Sequence, residues 1–237
     1  MIATIVVTGA GSGVGRAVAL RFAAEGWQVA LVGRRPGALA ETVALAGSDA
    51  EDRSAIFPCD VAAPDEVETM GARVLARFGS VDVLVNSAGT NVRERSLDAL
   101  TLEDWHRVLM TNLHGAFYCV RAFLPGMRAR RTGTIVNINS DVGKTARDLA
   151  GAAYVSSKFG LAGLTQQINV EERGHGVRAC SIFPRDVNTP LLDKRPHPPP
   201  PDVRARMLQP EDLAACVWLA ATLPLHAIVE EITLSTR

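Results

Sequence analysis

Short apolar runs alternate along the chain with longer stretches in which apolar residues recur at helical spacing. The pattern predicts strands over residues 2–8, 28–32, 55–58, 81–86, 134–140, 177–183 and 230–235. Helices are predicted between them, over residues 14–25, 38–46, 65–78, 102–130, 152–172 and 211–222. Strands apolar on both faces and separated by helices predict a parallel sheet covered on both sides. With right-handed crossovers this is a doubly wound, Rossmann-like α/β fold, read as one domain over residues 1–237. One stretch breaks the rhythm: residues 190–210, which contain His197-Pro198-Pro199-Pro200-Pro201. Prolines exclude a helix interior or a central strand there. Lying just after the sixth strand, at the edge where such folds bind ligands, residues 185–210 read either as a substrate lid or as a plain surface loop.

Composition narrows the partners. The 237 residues are 47% apolar and 21% charged, with 25 basic and 25 acidic side chains. That balance gives no electrostatic reason for a nucleic acid or membrane partner, and it leaves small anions open. Cys59, Cys119, Cys180 and Cys216 are far apart and form no CxxC pair, so they read as scattered buried thiols. His106, His114, His175, His197 and His226 are isolated, and no metal site is expected. The start of the chain is apolar at once, lacks a basic region and runs into a glycine-rich turn, so it reads as a strand and not a signal peptide. No apolar run is long enough to span a bilayer, and a cytoplasmic location is the expectation.

The turn after the first strand is Thr8-Gly9-Ala10-Gly11-Ser12-Gly13-Val14-Gly15. Glycines there allow positive φ and close approach of the backbone to a pyrophosphate. The next helix offers free N–H groups and a positive dipole end. Strand, loop and helix together point to a dinucleotide. The second strand ends in Gly33-Arg34-Arg35, where a carboxylate would select a free ribose 2′-hydroxyl. Two guanidiniums suit a 2′-phosphate, so NADP is expected over NAD; the alternative is that they are solvated at a strand end. Asp60 ends the third strand, with Val61 beside it, and reads as an acceptor for the adenine amine or as a helix cap.

Tyr154 and Lys158 are four residues apart on one helix face. A lysine beside a tyrosine favours the phenolate and is expected to lower the tyrosine pKa, making a general acid/base. Ser140, at the end of the fifth strand, reads as a hydroxyl polarising a substrate carbonyl or as a cap of the next turn. Asn112, an amide in an otherwise apolar helix, reads as a satisfied core group or a site residue.

In this order, over nearly the whole chain, these residues resemble the short-chain dehydrogenase/reductase family. The resemblance rests on the glycine loop at residues 8–15, the Asn-x-Ala-Gly turn at residues 86–89, Asn112, Ser140, and Tyr154 with Lys158. It implies that Tyr154 is the general acid/base, that Ser140 orients the substrate oxygen and that Asn112 holds a relay water. Lys158 would bind the nicotinamide ribose and lower the Tyr154 pKa. Asn86, Ala88 and Gly89 would support the cofactor, and Pro184, Val187 and Thr189 would lie by the nicotinamide. The Gly33-Arg34 pattern resembles NADP-preferring members.

Three departures stand out. Ser87 replaces the family's second Asn, and Arg185 replaces the Gly after Pro184. The Ser140–Tyr154 interval is one residue longer than usual. An arginine at 185 would touch an anionic substrate or narrow the pocket. The short C-terminal segment resembles a branch acting on small hydroxy acids and related alcohols.

The expected activity is interconversion of a ketone or aldehyde with a secondary alcohol, on a small-molecule substrate. The alternatives are an NAD-linked alcohol, sugar or hydroxy acid dehydrogenase, and a non-catalytic dinucleotide-binding regulator. Small and apolar residues at 115–118 and 160–164 suit packing across a two-fold into a homodimer or homotetramer.

Overall fold

Backbone hydrogen bonds along each strand join the apolar runs into one seven-stranded sheet, every pair parallel. The computed structural model describes residues 2–237. In chain order it holds β1 (Thr4–Thr8), α1 (Gly13–Ala24), β2 (Gln28–Gly33), α2 (Pro36–Leu45), the one-turn α3 (Ser48–Glu51) and β3 (Ser54–Pro58). Next come α4 (Pro64–Phe78), β4 (Val83–Asn86), α5 (Leu102–Leu109), α6 (Gly115–Arg130) and β5 (Gly133–Ile138). The chain closes with α7 (Ala152–Glu172), β6 (Val177–Pro184), the one-turn α8 (Pro201–Arg204), α9 (Pro210–Thr222) and β7 (Glu231–Leu234).

The strand order is β3-β2-β1-β4-β5-β6-β7. It reverses between β1 and β4, so the chain leaves those neighbours in opposite directions and opens a crevice at their carboxyl ends. Alternate residues of each strand feed two cores. Ile5, Val7, Leu31, Val85 and Ile182 pack with Val18 and Phe22 of α1 and Leu213 and Val217 of α9. Val6, Ala30, Leu84, Ile135 and Ala179 pack with Met70 and Val74 of α4 and Phe123 and Met127 of α6. The doubly wound architecture expected from the pattern is the one observed.

The differences are local. The long helical region divides into α5 and α6 across a π-helical turn, Met110–His114. Such a turn interrupts the regular hydrogen-bond ladder, here at Asn112. The proline-rich stretch holds a 3₁₀ turn, Pro190–Lys194, and α8, each begun by a proline in the first turn, where its missing N–H costs nothing. The cysteines are free, and Cys59, Cys119 and Cys180 are buried.

The tightest backbone contact lies where α1 meets the glycine loop. A Cβ on Gly15 would come 2.4 Å from the Gly9 carbonyl oxygen, while one on Gly37, in the first turn of α2, would meet nothing within 4 Å. Gly15→Ala is therefore expected to destabilise the fold by roughly 2–3 kcal/mol through forced overpacking. Gly37→Ala is expected to be neutral or stabilising by up to about 1 kcal/mol through helix propensity. Urea unfolding of both variants checks the pair; equal effects would show that the Gly9–Gly15 contact is slack.

Candidate active site

A cavity of about 830 Å³ runs along the crevice at the carboxyl edge of the sheet. One end is the loop from β1 to α1. Gly9 and Gly13 take left-handed φ of 68° and 52°. Thr8 Oγ1 accepts the backbone N–H groups of Ser87 and Ala88, each at 3.0 Å, which holds the turn after β4 against the loop. A Cβ on Gly9 would stand 3.0 Å from Ala88, so only glycine lets the two turns close. Ser12 precedes α1 without its side chain capping the helix, and the first-turn N–H groups are left for a ligand.

Gly9, Gly11, Ser12, Gly13 and Val14 line the cavity; Gly15 does not, because it serves the packing described above. Arg34, Arg35, Asp60, Val61, Ala88 and Gly89 line the same end. The Arg34 side chain is 67% exposed and lies 3.9 Å from Asp60, and Arg35 is exposed. Asp60 is not a helix cap, for Ala63 holds that position in α4. Asp60 Oδ1 instead accepts from Ala62 N at 3.0 Å, and its other oxygen faces Arg34.

At the other end Tyr154, Lys158 and Ser140 line the cavity together with Pro184, Val187 and Thr189. Ser140 ends the segment after β5 and starts a 3₁₀ turn, Asp141–Gly143. Its hydroxyl donates to Asp141 Oδ1 at 3.2 Å and accepts from Val142 N at 3.4 Å, so it caps that turn and lines the cleft at once. Lys158 is 4% exposed and donates through Nζ to Ile138 O at 2.7 Å, which fixes α7 to the end of β5. That nitrogen sits 5.6 Å from the Tyr154 ring centre.

The expected effect of Lys158 on the phenol is not found. Burial pushes the Tyr154 pKa up to about 12; Ser140 pulls it down, Asp141 adds to the rise, and Arg195 and Arg95 oppose it. Lys158 is absent from those influences, and burial lowers its own pKa to about 8. Loss of hydration outweighs attraction where a single ammonium is itself desolvated.

Besides Gly15, two of the expected site residues fall outside the cavity lining, Asn112 and Asn86. Asn112, 1% exposed, accepts from Thr90 N at 2.7 Å and donates to Thr90 O and Ser157 Oγ, both at 3.0 Å. Its side chain braces the loop after β4 against α7, which answers to the satisfied core group and leaves its amide nitrogen no spare donor for a relay water. Asn86 donates to Asn137 Oδ1 at 2.8 Å, Asn137 to Thr165 Oγ1 at 2.8 Å, and Thr165 lies 3.0 Å from Ser181 Oγ. This buried polar ladder joins β4, β5 and β6 to α7. Asn86 was expected to support the cofactor; no sequence signal marked the other members, which alone read as ordinary polar residues.

Sequence reasoning also missed Arg95, Arg195, Lys194 and Asp141, which line the Tyr154 end. They lie in irregular segments whose placement no periodicity encodes. Arg185 lies 3.7 Å from Asp141, which also pairs with Arg147, so its charge is answered within the protein. Residues 190–195 are tied down by Lys194 Nζ on Thr90 Oγ1 at 2.6 Å and by the Arg195–Asp186 pair.

A glycine-lined loop at the switch point of a parallel sheet, facing a tyrosine and a lysine across one cleft, defines a nucleotide-dependent α/β oxidoreductase. The chain belongs to the short chain dehydrogenase family, whose profile matches residues 3–199. It is 36% identical over 205 residues to a 3beta-hydroxysteroid dehydrogenase of Mediterraneibacter gnavus, covering 86% of this chain and 72% of that one. A (3R)-3-hydroxyacyl-CoA dehydrogenase of Mus musculus is 34% identical over 232 residues, covering 93% and 89%. Among solved structures, an alcohol dehydrogenase of Thermococcus sibiricus complexed with 5-hydroxy-NADP superposes with a TM-score of 0.89 at 29% identity, covering 100% of this chain and 97% of that one. Among the described residues no helix is long and apolar enough to cross a membrane.

The buried Lys158 gives a stability prediction with a definite sign. The unfolded amine keeps its proton to about 10.5, the folded one only to about 8. Between those values the unfolded chain binds more protons, so this residue's contribution to stability rises with pH. Relative to Lys158→Met, the wild-type protein is expected to gain stability from about pH 7.5 to about pH 10. Urea midpoints of both proteins across that range check it, and a constant difference would place the titration elsewhere.

Proposed function

We propose that the protein interconverts a ketone or aldehyde and a secondary alcohol with NADP, Tyr154 exchanging the proton on the substrate oxygen. The observation that carries the reading is that Tyr154, Ser140 and Lys158 line the same cavity as the glycine loop. The loop fits a dinucleotide: Gly9 and Gly13 take conformations that side chains rarely adopt, and the start of α1 is left uncapped. Arg34 and Arg35 at the end of β2 offer two cations and no carboxylate of their own to the adenosine ribose, which supports NADP over NAD. The likeness to a structure complexed with 5-hydroxy-NADP favours the same choice. Bound there, the nicotinamide supplies or receives the hydride.

The protein's own groups manage the oxygen. Ser140 turns its hydroxyl from Asp141 to donate to the carbonyl oxygen, and charge building there is stabilised. A phenol that is neutral at pH 7 is already in the form that gives a proton to that oxygen. Lys158 is charged at neutral pH, and its ammonium by the Tyr154 ring offsets the charge left on the phenolate. Asn112 acts as a positioning residue, holding Thr90 and Ser157 about the start of α7. The segment from Arg185 to Pro210 serves as a cover over the substrate end. Phe117 and Phe159, exposed on α6 and α7, support association across a two-fold into a dimer or tetramer.

Tyr154→Phe is expected to lower kcat by about 10²–10⁴ while the NADPH dissociation constant changes only a few-fold. Stopped-assay turnover and fluorescence titration read the two quantities, and retained turnover would remove Tyr154 from the chemistry. Arg34→Asp is expected to weaken NADPH binding by about tenfold or more and to leave NADH binding unchanged or tighter. Equal losses for both nucleotides at low salt would show that Arg34 does not meet the 2′-phosphate.

A further inference from the structure

The loop after β4 carries a guanidinium whose charge the fold leaves unanswered. Arg95 is 8% exposed and lines the Tyr154 end of the cavity. It packs on the turn that starts α7: a Cβ on Gly151 would come 2.5 Å from Arg95 Cβ. Tyr154 follows within one helical turn. One terminal nitrogen of Arg95 donates to Leu149 O at 3.0 Å and the other to Lys194 O. A guanidinium has five N–H donors, so these carbonyls leave part of the fork free. Nε is buried without a partner.

Two carboxylates of this end are engaged elsewhere, and Asp148, which also lines it, forms no salt bridge with Arg95. Asp141 pairs with Arg147 and Arg185, and Asp186 pairs with Arg195. Among the described residues Arg95 forms no salt bridge. A buried cation without a counter-ion is costly, and backbone carbonyls repay that cost only in part. Burial and the neighbouring Arg195 both disfavour its charged form, as befits a cation that still lacks its anion.

The coenzyme does not provide that anion. Its phosphates belong at the glycine loop and at Arg34, and the pyridine end that meets Tyr154 carries a neutral carboxamide. Resting on the oxidoreductase reading above, the geometry points to Arg95 as the residue that binds a carboxylate of the substrate, with Arg195 beside it. The substrate class is then a short oxo acid and its hydroxy acid, and not a neutral ketone. A planar carboxylate matches the planar fork, and its anchoring beside Tyr154 sets which carbonyl reaches the phenol.

Two measurements on the full-length protein test this. The first is binding without chemistry: calorimetric titration with butyrate and with butyramide, which share shape and differ in charge. Butyrate is expected to bind about tenfold or more tightly than butyramide, and Arg95→Gln to erase the difference. Arg95→Lys, which keeps the charge and loses the fork, is expected to fall between. The second compares acetoacetate with its methyl ester as substrates in the presence of NADPH. The acid is expected to lead in kcat/KM by about tenfold or more, chiefly through KM, and the acid-to-ester ratio to fall to about one in Arg95→Gln.

Wild-type indifference to charge in either pair would overturn the proposal. So would an Arg95→Gln variant that weakens both members of a pair equally, since that is what a mere brace between loops would do. Should that variant fail to fold, the wild-type comparisons still decide. Arg95-dependent butyrate binding with no turnover of any carbonyl would keep the anion site and sink the oxidoreductase reading; turnover without charge preference would do the reverse.

Discussion

Thr8 Oγ1 holds the crevice in shape by accepting two backbone N–H groups from the turn that follows β4. β1 and β4 are neighbours from which the chain departs in opposite directions, so nothing in the sheet's own ladder fixes the loops beyond their ends. The hydroxyl does so, and it works only because Gly9, at left-handed φ, lets Ala88 come within contact. Gly15 then seats α1 against the Gly9 carbonyl. If this knot loosened, the uncapped start of α1 and the turn after β4 would lose their common reference.

The far side of the cleft is held by different means. A buried ladder through Asn86, Asn137, Thr165 and Ser181 joins three strands to α7. Lys158 Nζ adds a bond from α7 to Ile138 O. Buried polar groups are expensive unless each is satisfied, and a network of them admits few alternative geometries. Tyr154 thus stands on a helix whose height above β5 is fixed by hydrogen bonds as well as by apolar packing.

The fold was legible because both cores are built from alternate residues of strands that are apolar throughout, a pattern with few other solutions. The glycine loop was legible for a similar reason, its chemistry being tied to local backbone conformation. The Tyr154–Lys158 pair was found by helical spacing, yet its electrostatics were not. A sequence shows that an ammonium is near a phenol; it does not show that both are desolvated, which reverses the expected direction for the phenol. Asn112 and Asp60 each carry two meanings in the sequence; the hydrogen bonds of Asn112 fit a satisfied core amide, and Ala63 takes the cap position of α4 in place of Asp60. Arg195 lies in the stretch read as a lid or loop, but neither it nor Arg95 carried a signal of its own. An arginine in an irregular segment looks the same whether it ends in solvent or beneath a loop.

The phenol and the guanidinium explain each other's placement. A tyrosine held neutral by burial serves a reaction that protonates a substrate oxygen, but the same burial opposes the reverse, in which the phenolate must form. Arg95 and Arg195 are the cations that favour the phenolate here, and Asp141 opposes them. An anionic group bound by Arg95 would cancel part of that help and hold the phenol more firmly in its protonated form. The charge that positions such a substrate would then keep Tyr154 in the form that carries a proton, while making that phenol a weaker acid. Once the anion leaves, the bias relaxes and the phenolate is easier to reach. Occupancy of Arg95 by an anion and the protonation of Tyr154 are in this way coupled through one buried cation, with no need for a moving part.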